Sequence, residues 1–284
     1  MVLWFITGAS SGIGKAIAEA ALKNGDRVIA SSRNSSKLTD LKGKGAITVD
    51  FDINLSQDKL SDSIGDLIEN HGPIDVVVNN AGYAQFGSIE EAGVELLEKQ
   101  FQTNVYGPVK VSNAILPHFR AKKSGIILNI GSRAAYDTIP FVGLYDSSKA
   151  ALQNLSVTLD KEISKFNLRS ILIEPGLFRT KFLSSLNESD LVFPAKFEDY
   201  ESERISLERA FKEFDSKQPG DPEKLANILI DLVHQKGIFK GKEIPSIVTF
   251  GADSIDSIKE YSQFNLKRIE ETKELILSTQ GDWA

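Results

Sequence analysis

The first fourteen residues constrain the fold more than any other stretch of the chain. Residues 2–6 form a continuous apolar run, the kind that fills a parallel strand covered on both faces. The run breaks into Thr7-Gly8-Ala9-Ser10-Ser11-Gly12-Ile13-Gly14, after which Ile13, Ile17 and Ala21 recur at four-residue steps along one helix face. A strand, a glycine-rich turn and a helix opening at that turn make an anion site. The glycines let the backbone approach a pyrophosphate, and the free N–H groups and dipole of the helix N-terminus face it. Gly25 ends the helix and Arg27–Ser32 reads as a second strand. The expectation is a dinucleotide cradle built from Gly8, Ser10, Ser11, Gly12, Ile13 and Gly14.

The alternation continues to the far end. Residues 46–49, 74–78, 126–130, 169–173 and 247–250 are short apolar runs separated by helical patterns. Such a sequence specifies the α/β class: one Rossmann-type doubly wound domain over residues 1–284, with a parallel sheet of about seven strands and helices on both faces. Ser56 is read as the cap of a helix reaching about residue 70. Asp221-Pro222 is read as the start of a helix ending near Gly237. Asp253 is read as the cap of a C-terminal helical extension, about 253–275, longer than the sheet requires.

Composition narrows the function classes. A net charge of −6 disfavours nucleic acid and anionic membrane as partners. The absence of cysteine excludes disulfides and thiolate chemistry, and three scattered histidines suggest no metal site. No segment approaches the roughly 18 apolar residues of a membrane span. The apolar start carries no basic leader, so a cytoplasmic protein is expected.

Tyr145 and Lys149 are four apart, hence neighbours on one helix face. A tyrosine of pKa about 10 is a poor proton carrier at neutral pH, and a cation beside it favours the phenolate. Ser132 lies thirteen positions before Tyr145, at the end of the fifth apolar run, where a hydroxyl could polarise a carbonyl oxygen. At the end of the second strand, where NAD-binding folds carry an acid, this chain has Ser32 and Arg33. An arginine pairs with a 2′-phosphate that a carboxylate would repel, so NADP(H) is predicted over NAD(H).

Taken together, the T-G-x-x-x-G-x-G turn, Asn79-Asn80-Ala81-Gly82, the Ser132/Tyr145/Lys149 set and Pro175-Gly176 followed by Thr180 resemble the short-chain dehydrogenase/reductase family over about residues 1–250. The resemblance implies further roles. Asp52 and Ile53 would meet the adenine edge, and Asn80, Ala81 and Gly82 would lie beneath the cofactor. Asn104, on a helical segment over 90–119 broken at Gly107-Pro108, would hold a water near Lys149. Pro175 and Gly176 would turn the chain close to the nicotinamide, and the backbone at Leu177 or Phe178 with the Thr180 hydroxyl would meet its carboxamide. Tyr145 would protonate the substrate oxygen, while Lys149 would lower its pKa and bind the nicotinamide ribose.

Residues 182–220 have no fixed counterpart in the family and form the expected substrate lid. There Phe197, Tyr200, Leu207, Phe211 and Phe214 make an apolar stripe. The stripe is expected to dock its helix on the core; the alternative is a wall of the substrate pocket. Arg133, Phe141, Phe182 and Phe193 are the pocket residues proposed from sequence, with Tyr83, Phe86 and Tyr136 nearby. Few are charged, which points to a hydrophobic or aromatic carbonyl compound. The reading is an NADPH-dependent aldehyde or ketone reductase, reversible as an alcohol dehydrogenase. Its alternatives are a secondary-alcohol dehydrogenase of the steroid or retinol type, and a non-catalytic NADP(H) sensor. The resemblance also implies a homodimer or homotetramer built on helices at about 90–119 and 146–166.

Overall fold

The computed structural model describes residues 1–182 and 194–281. Seven strands form one sheet: β1 (Leu3–Ile6), β2 (Arg27–Ser32), β3 (Ile47–Asp50), β4 (Val76–Asn79), β5 (Gly125–Ile130), β6 (Leu168–Pro175) and β7 (Ile247–Phe250). Every pairing is parallel and the order is β3-β2-β1-β4-β5-β6-β7. The order reverses between β1 and β4, which opens a crevice at the carboxyl ends of the strands, where ligands of such sheets bind.

Continuous apolar strands follow from two covered faces. Trp4 and Ile6 point to one side with Val28, Val76, Leu128 and Ile171, beneath helices α1 (Gly12–Lys23) and α8 (Pro222–Val233). Leu3 and Phe5 point to the other with Ile29, Val77 and Ile127, beneath α3 (Gln57–His71) and α5 (Gly107–Lys122). The polar exceptions are paired. Asn79 donates to the Asn129 carbonyl oxygen (2.8 Å), and Asn129 donates in turn to Ser156 (2.9 Å) and Ser170 (3.2 Å). This chain of amides and hydroxyls fixes β4, β5 and β6 against α6 (Gly143–Ile163) with no polar group stranded.

Element ends differ from the sequence reading in three places. Ser56 stands before α3 with extended backbone, but its hydroxyl makes no capping bond. Helix α8 begins at Pro222, its first N–H groups taken by the Asp221 carboxylate, yet it stops at Val233. Asp253 does not cap α9 (Ala252–Glu271). Gly251 does, at φ +100°, and the Asp253 carboxylate is used elsewhere. Only the start of α9 is buried, through Ser254 and Ser257. The remainder, with the short α10 (Lys273–Leu277), extends into solvent. Among the described residues, no helix is long and apolar enough to cross a membrane.

At the amino ends of the strands, Asp26 gathers four donors. The Val2 N–H (3.1 Å), the Trp4 indole (3.2 Å), the Asn24 amide (3.1 Å) and His234 Nε2 (2.6 Å) all reach its carboxylate. Burial alone would raise this carboxyl, but the hydrogen bonds, His234 first, outweigh it and hold it below 3.8. Replacing Asp26 by asparagine is expected to cost about 2 kcal/mol at neutral pH, several degrees in Tm. Because the folded-state pKa is depressed, that contribution is complete above the unfolded value and is lost as pH falls through the folded one. Calorimetry should therefore show the two melting temperatures converging in acid.

Candidate active site

The site assembles where β1 and β4 end. Gly8 (φ +65°) turns the chain so closely against β4 that a β-carbon there would lie 2.8 Å from Ala81 Cα. A β-carbon on Gly14 would stand 2.3 Å from the Asn80 amide nitrogen, which donates to the Thr7 (2.9 Å) and Gly8 (3.0 Å) carbonyls. The Thr7 hydroxyl accepts the N–H groups of Asn80 and Ala81. At the N-terminus of α1, Ser11 makes no side-chain cap and no acid stands in the first turn. The N–H groups around Gly12 and Ile13 are thus left to an anion. The strand, the glycine turn and the helix thus meet with bare backbone at the turn.

On the other side of β1, Ser32 is buried and its hydroxyl is tied to the backbone of Asn34. Arg33 is exposed, beside Tyr83, whose phenol burial pushes up and the Arg33 charge pulls down. No carboxylate of the described residues is paired with Arg33. Asp50, level with Ser32 in the sheet, accepts the Ser35 N–H instead. Asp52 caps its own turn by accepting the Asn54 N–H (2.9 Å). The Ile53 side chain is buried against Gly107, so only its backbone faces outward chemistry.

Helix α4 (Ile89–Phe101) runs into a π-helical turn over Gln102–Tyr106 before α5 begins, so the irregularity expected at Gly107-Pro108 falls just ahead of it. Asn104 sits in that turn, 1% exposed. Its amide accepts the Tyr83 N–H (3.1 Å) and donates to the Tyr83 carbonyl (2.9 Å) and the Ser148 hydroxyl (3.1 Å). Both N–H groups of the side chain are thus committed.

Ser132, Tyr145 and Lys149 converge. Ser132 leaves β5 in extended conformation, accepts the Ala134 N–H (3.1 Å) and lies close enough to the Tyr145 phenol to oppose the rise in its pKa. Lys149 is 8% exposed, with Nζ on the Ile130 carbonyl (2.7 Å) and 5.6 Å from the centre of the Tyr145 ring. Among the chain's own groups the expected drop in the tyrosine pKa does not occur. Burial pushes Tyr145 up to about 12, aided by the Asp146 charge and opposed by Ser132. Burial likewise lowers Lys149 to about 8. The cation is spent on a strand carbonyl and is itself weakened by the medium that raises the phenol.

The loop after β6 closes over the cradle. Thr180 packs on Gly12, 3.4 Å from where a β-carbon would be. Leu177 gives its N–H to Asp253 (2.7 Å) and its carbonyl to Gly220, which leaves Phe178 as the residue with backbone to offer. The Phe178 ring itself lies on Gly220 and the sheet core. Pro175 is buried, and the Asp253 carboxylate fills the space a Gly176 side chain would need. Arg133 is engaged here and not in the pocket. Its guanidinium reaches Asp137 and Asp253 at 3.6 Å each and donates to Ser257 (3.0 Å). Tyr136 is likewise occupied, donating to buried Glu174 and accepting from Gln153. Asp253 was visible in the sequence only as a helix-start residue; its service to the β6 loop spans 76 positions.

Above Tyr145 the surface is apolar. The Phe182 ring lies 5.8 Å from that of Tyr145. Helix α7 (Glu201–Phe214) sets Leu207 and Phe211 on a cluster of Ala84, Phe86, Phe141, Val142 and Tyr145. Leu207 and Phe211 of the stripe therefore pack on this cluster and not on the sheet core, where the stripe was expected to dock. Phe141 and Phe182 lie at this cluster, whereas Phe193 lies outside the described residues. Gln100, unmarked by any motif, holds the 83–85 loop through the Gln85 N–H (2.6 Å) and the Tyr83 carbonyl (2.9 Å).

Residues 3–191 match the model of the short chain dehydrogenase family. The chain belongs to that family. An oxidoreductase of Botryotinia fuckeliana, BOA17, is 32% identical over 280 residues, 98% of each chain. A 3-ketodihydrosphingosine reductase of Bacteroides thetaiotaomicron is 33% identical, covering 81% of this chain and 83% of that one. Among solved structures, a short-chain dehydrogenase from Streptomyces avermitilis superposes with a TM-score of 0.83 at 29% identity, over 99% of this chain and all of the other. The protein is thus an oxidoreductase of the short-chain family with the family's fold.

Since the Gly14 position has no room for a methyl group, Gly14→Ala is expected to lower Tm by several degrees, a cost of about 1–3 kcal/mol. Gly43→Ala, on an α2 (Thr39–Gly43) glycine with open space around it, serves as control in the same melt and should leave Tm within a degree or so.

Proposed function

We propose that this chain is an NADP(H)-dependent reductase of hydrophobic aldehydes or ketones, reversible as an alcohol dehydrogenase, acting as one catalytic domain over its length. The observation that carries the reading is the Tyr145 phenol beside Ser132, with the Phe182 ring against its own and Leu207 and Phe211 packed on the apolar cluster it joins. A carbonyl oxygen beside the phenol and the Ser132 hydroxyl would meet two donors, and the apolar wall would hold the rest of the molecule and exclude water.

The residues fit a nicotinamide dinucleotide. The acid-free N-terminus of α1 and the glycine cradle would take its pyrophosphate. Arg33, exposed and without a carboxylate partner among the described residues, would take a 2′-phosphate. Asp52 with the Ile53 amide would receive the adenine, and Asn80, Ala81 and Gly82 would floor the site. The Phe178 backbone with Thr180 would face the carboxamide. When bound, the reduced nicotinamide supplies the hydride that goes to the carbonyl carbon. Tyr145 gives the proton to the oxygen, and its high pKa keeps it protonated for that task at neutral pH. Lys149, next to it, would hold the ribose hydroxyls and stabilise the phenolate left after proton transfer. The Bacteroides relative, named for reduction of a ketone, supports the substrate class.

Tyr145→Phe is expected to abolish turnover of every carbonyl in an aldehyde and ketone panel while NADPH binding, read by fluorescence, stays within about twofold. Substantial residual activity would remove Tyr145 from the chemistry. Arg33→Asp should weaken NADPH at least about tenfold relative to NADH, the loss of one charge-assisted pair and the gain of one repulsion.

The pH dependence has a sign. Reduction needs the phenol protonated and Lys149 charged, so kcat/KM for reduction is expected to be level at neutral pH and to fall above about 8, where Lys149 loses its proton. Alcohol oxidation needs the phenolate and should rise with pH over the same range. Parallel profiles in both directions would refute the assignment.

A further inference from the structure

The wall over Tyr145 is fastened from one point. Ser88-Ile89-Glu90-Glu91 is a capping-box sequence, and the Ser88 hydroxyl does accept the Glu91 N–H (3.2 Å) at the start of α4. In the usual box the glutamate turns back to the capping residue's own N–H. Here the Glu91 carboxylate, 0% exposed, receives three other donors: the Ser88 hydroxyl (2.8 Å) and the backbone N–H groups of Lys196 (2.9 Å) and Phe197 (3.1 Å). Arg204, on the facing side of α7, adds an attractive charge. Two neighbouring contacts reinforce the junction. A β-carbon on Gly87 would strike the Pro194 ring, and the Tyr200 hydroxyl donates to Glu90 (2.8 Å). Immediately beyond, α7 begins at Glu201 and carries Leu207 and Phe211 to the Tyr145 cluster.

We infer that Glu91 is a positioning residue for the substrate wall: its carboxylate clasps the chain at Lys196 and Phe197 and so sets Leu207 and Phe211 over Tyr145. The inference rests on the carbonyl-reductase reading for its substrate, but the clasp itself does not. The alternative for a buried carboxylate would be a purely local role in starting α4. That role is already filled by Ser88, and it would not require two N–H groups from a segment 105 and 106 positions away. A glutamine at 91 keeps the shape and can turn one oxygen to the two N–H groups, but it removes the charge that strengthens those bonds and puts an NH2 where the second oxygen accepts the Ser88 hydroxyl. That NH2 adds a donor among donors.

The consequence is selective. A small carbonyl needs only Ser132 and Tyr145, whereas a long apolar one leans on the wall. Glu91→Gln is therefore expected to raise KM for decanal about fivefold or more, with KM for propanal, kcat for both, and NADPH affinity all within about twofold. A rise of equal size for both aldehydes, no rise for decanal, or a parallel loss of NADPH affinity would overturn the inference. A double-mutant cycle with Phe211→Ala should be non-additive for decanal, since both changes act through the same wall; strict additivity would count against it.

Amide hydrogen exchange reads the clasp without turnover. In the unmodified protein the Lys196 and Phe197 amides should exchange at least about tenfold more slowly than in an unstructured peptide, and Glu91→Gln should remove most of that protection. Unprotected amides in the unmodified protein refute the clasp even if the variant does not fold. Should no carbonyl be turned over, the function fails while the exchange result still decides the clasp.

Discussion

Where β1 runs out, Asn80 reaches across from β4 and donates its side-chain amide to the carbonyls of Thr7 and Gly8. That contact sets the position of nearly everything else in the site. It is possible only because Gly8 and Gly14 have no side chain, and it draws the phosphate turn onto the strand that follows the reversal in sheet order. Once the turn is fixed, the chain beyond Asn80 must leave in one direction, over the mouth of the crevice. There Asn104 and Gln100 seize it at Tyr83 and Gln85. A side-chain amide bridging two strand ends is worth little by itself. Its effect comes from placing backbone that other groups then hold.

The medium around this frame decides the electrostatics. Tyr145, Asp146, Lys149 and Glu174 are all moved toward their neutral forms by burial. Asp146 goes furthest from its ordinary behaviour, raised to about 7, with one carboxylate oxygen buried and unpaired and only the Ile139 N–H on the other. Such a neighbour resists any charge on the adjacent phenol. The site therefore favours a proton on Tyr145 until something outside the chain's own groups offsets that preference, which suits a donor better than a base.

The parts of this arrangement that could be read from sequence are those whose partners lie close along the chain. The strand–turn–helix at Gly8–Gly14, the four-residue step from Tyr145 to Lys149 and the apolar strand cores are local patterns, and the structure reproduces them. Asp221 was legible as a cap because its targets are two and three residues on. Asp253 looked equally like a cap, yet its carboxylate was drawn to Leu177 and Arg133, where it satisfies a strand-end N–H and a cation at once. Arg133, a pocket residue in the sequence reading, is held instead by the ion pairs with Asp137 and Asp253. Glu91 shows in the sequence only as the end of a capping box and Asn129 carries no mark at all, since each takes its role from partners on segments that only folding brings near.

The order of assembly follows from where β6 and β7 stand in the chain. All strand pairs are parallel, so none can form as a local hairpin, and each waits for a crossover to be completed. A nascent chain that has emerged through α6 already carries Ser132, Tyr145 and Lys149. It lacks the Thr180 that packs on Gly12, the α7 wall and the Asp253 that holds the β6 loop. Residues 1–163 on the ribosome thus present an exposed β5 edge and a half-built crevice, a species dependent on prompt synthesis of the rest of the chain or on shelter by a chaperone.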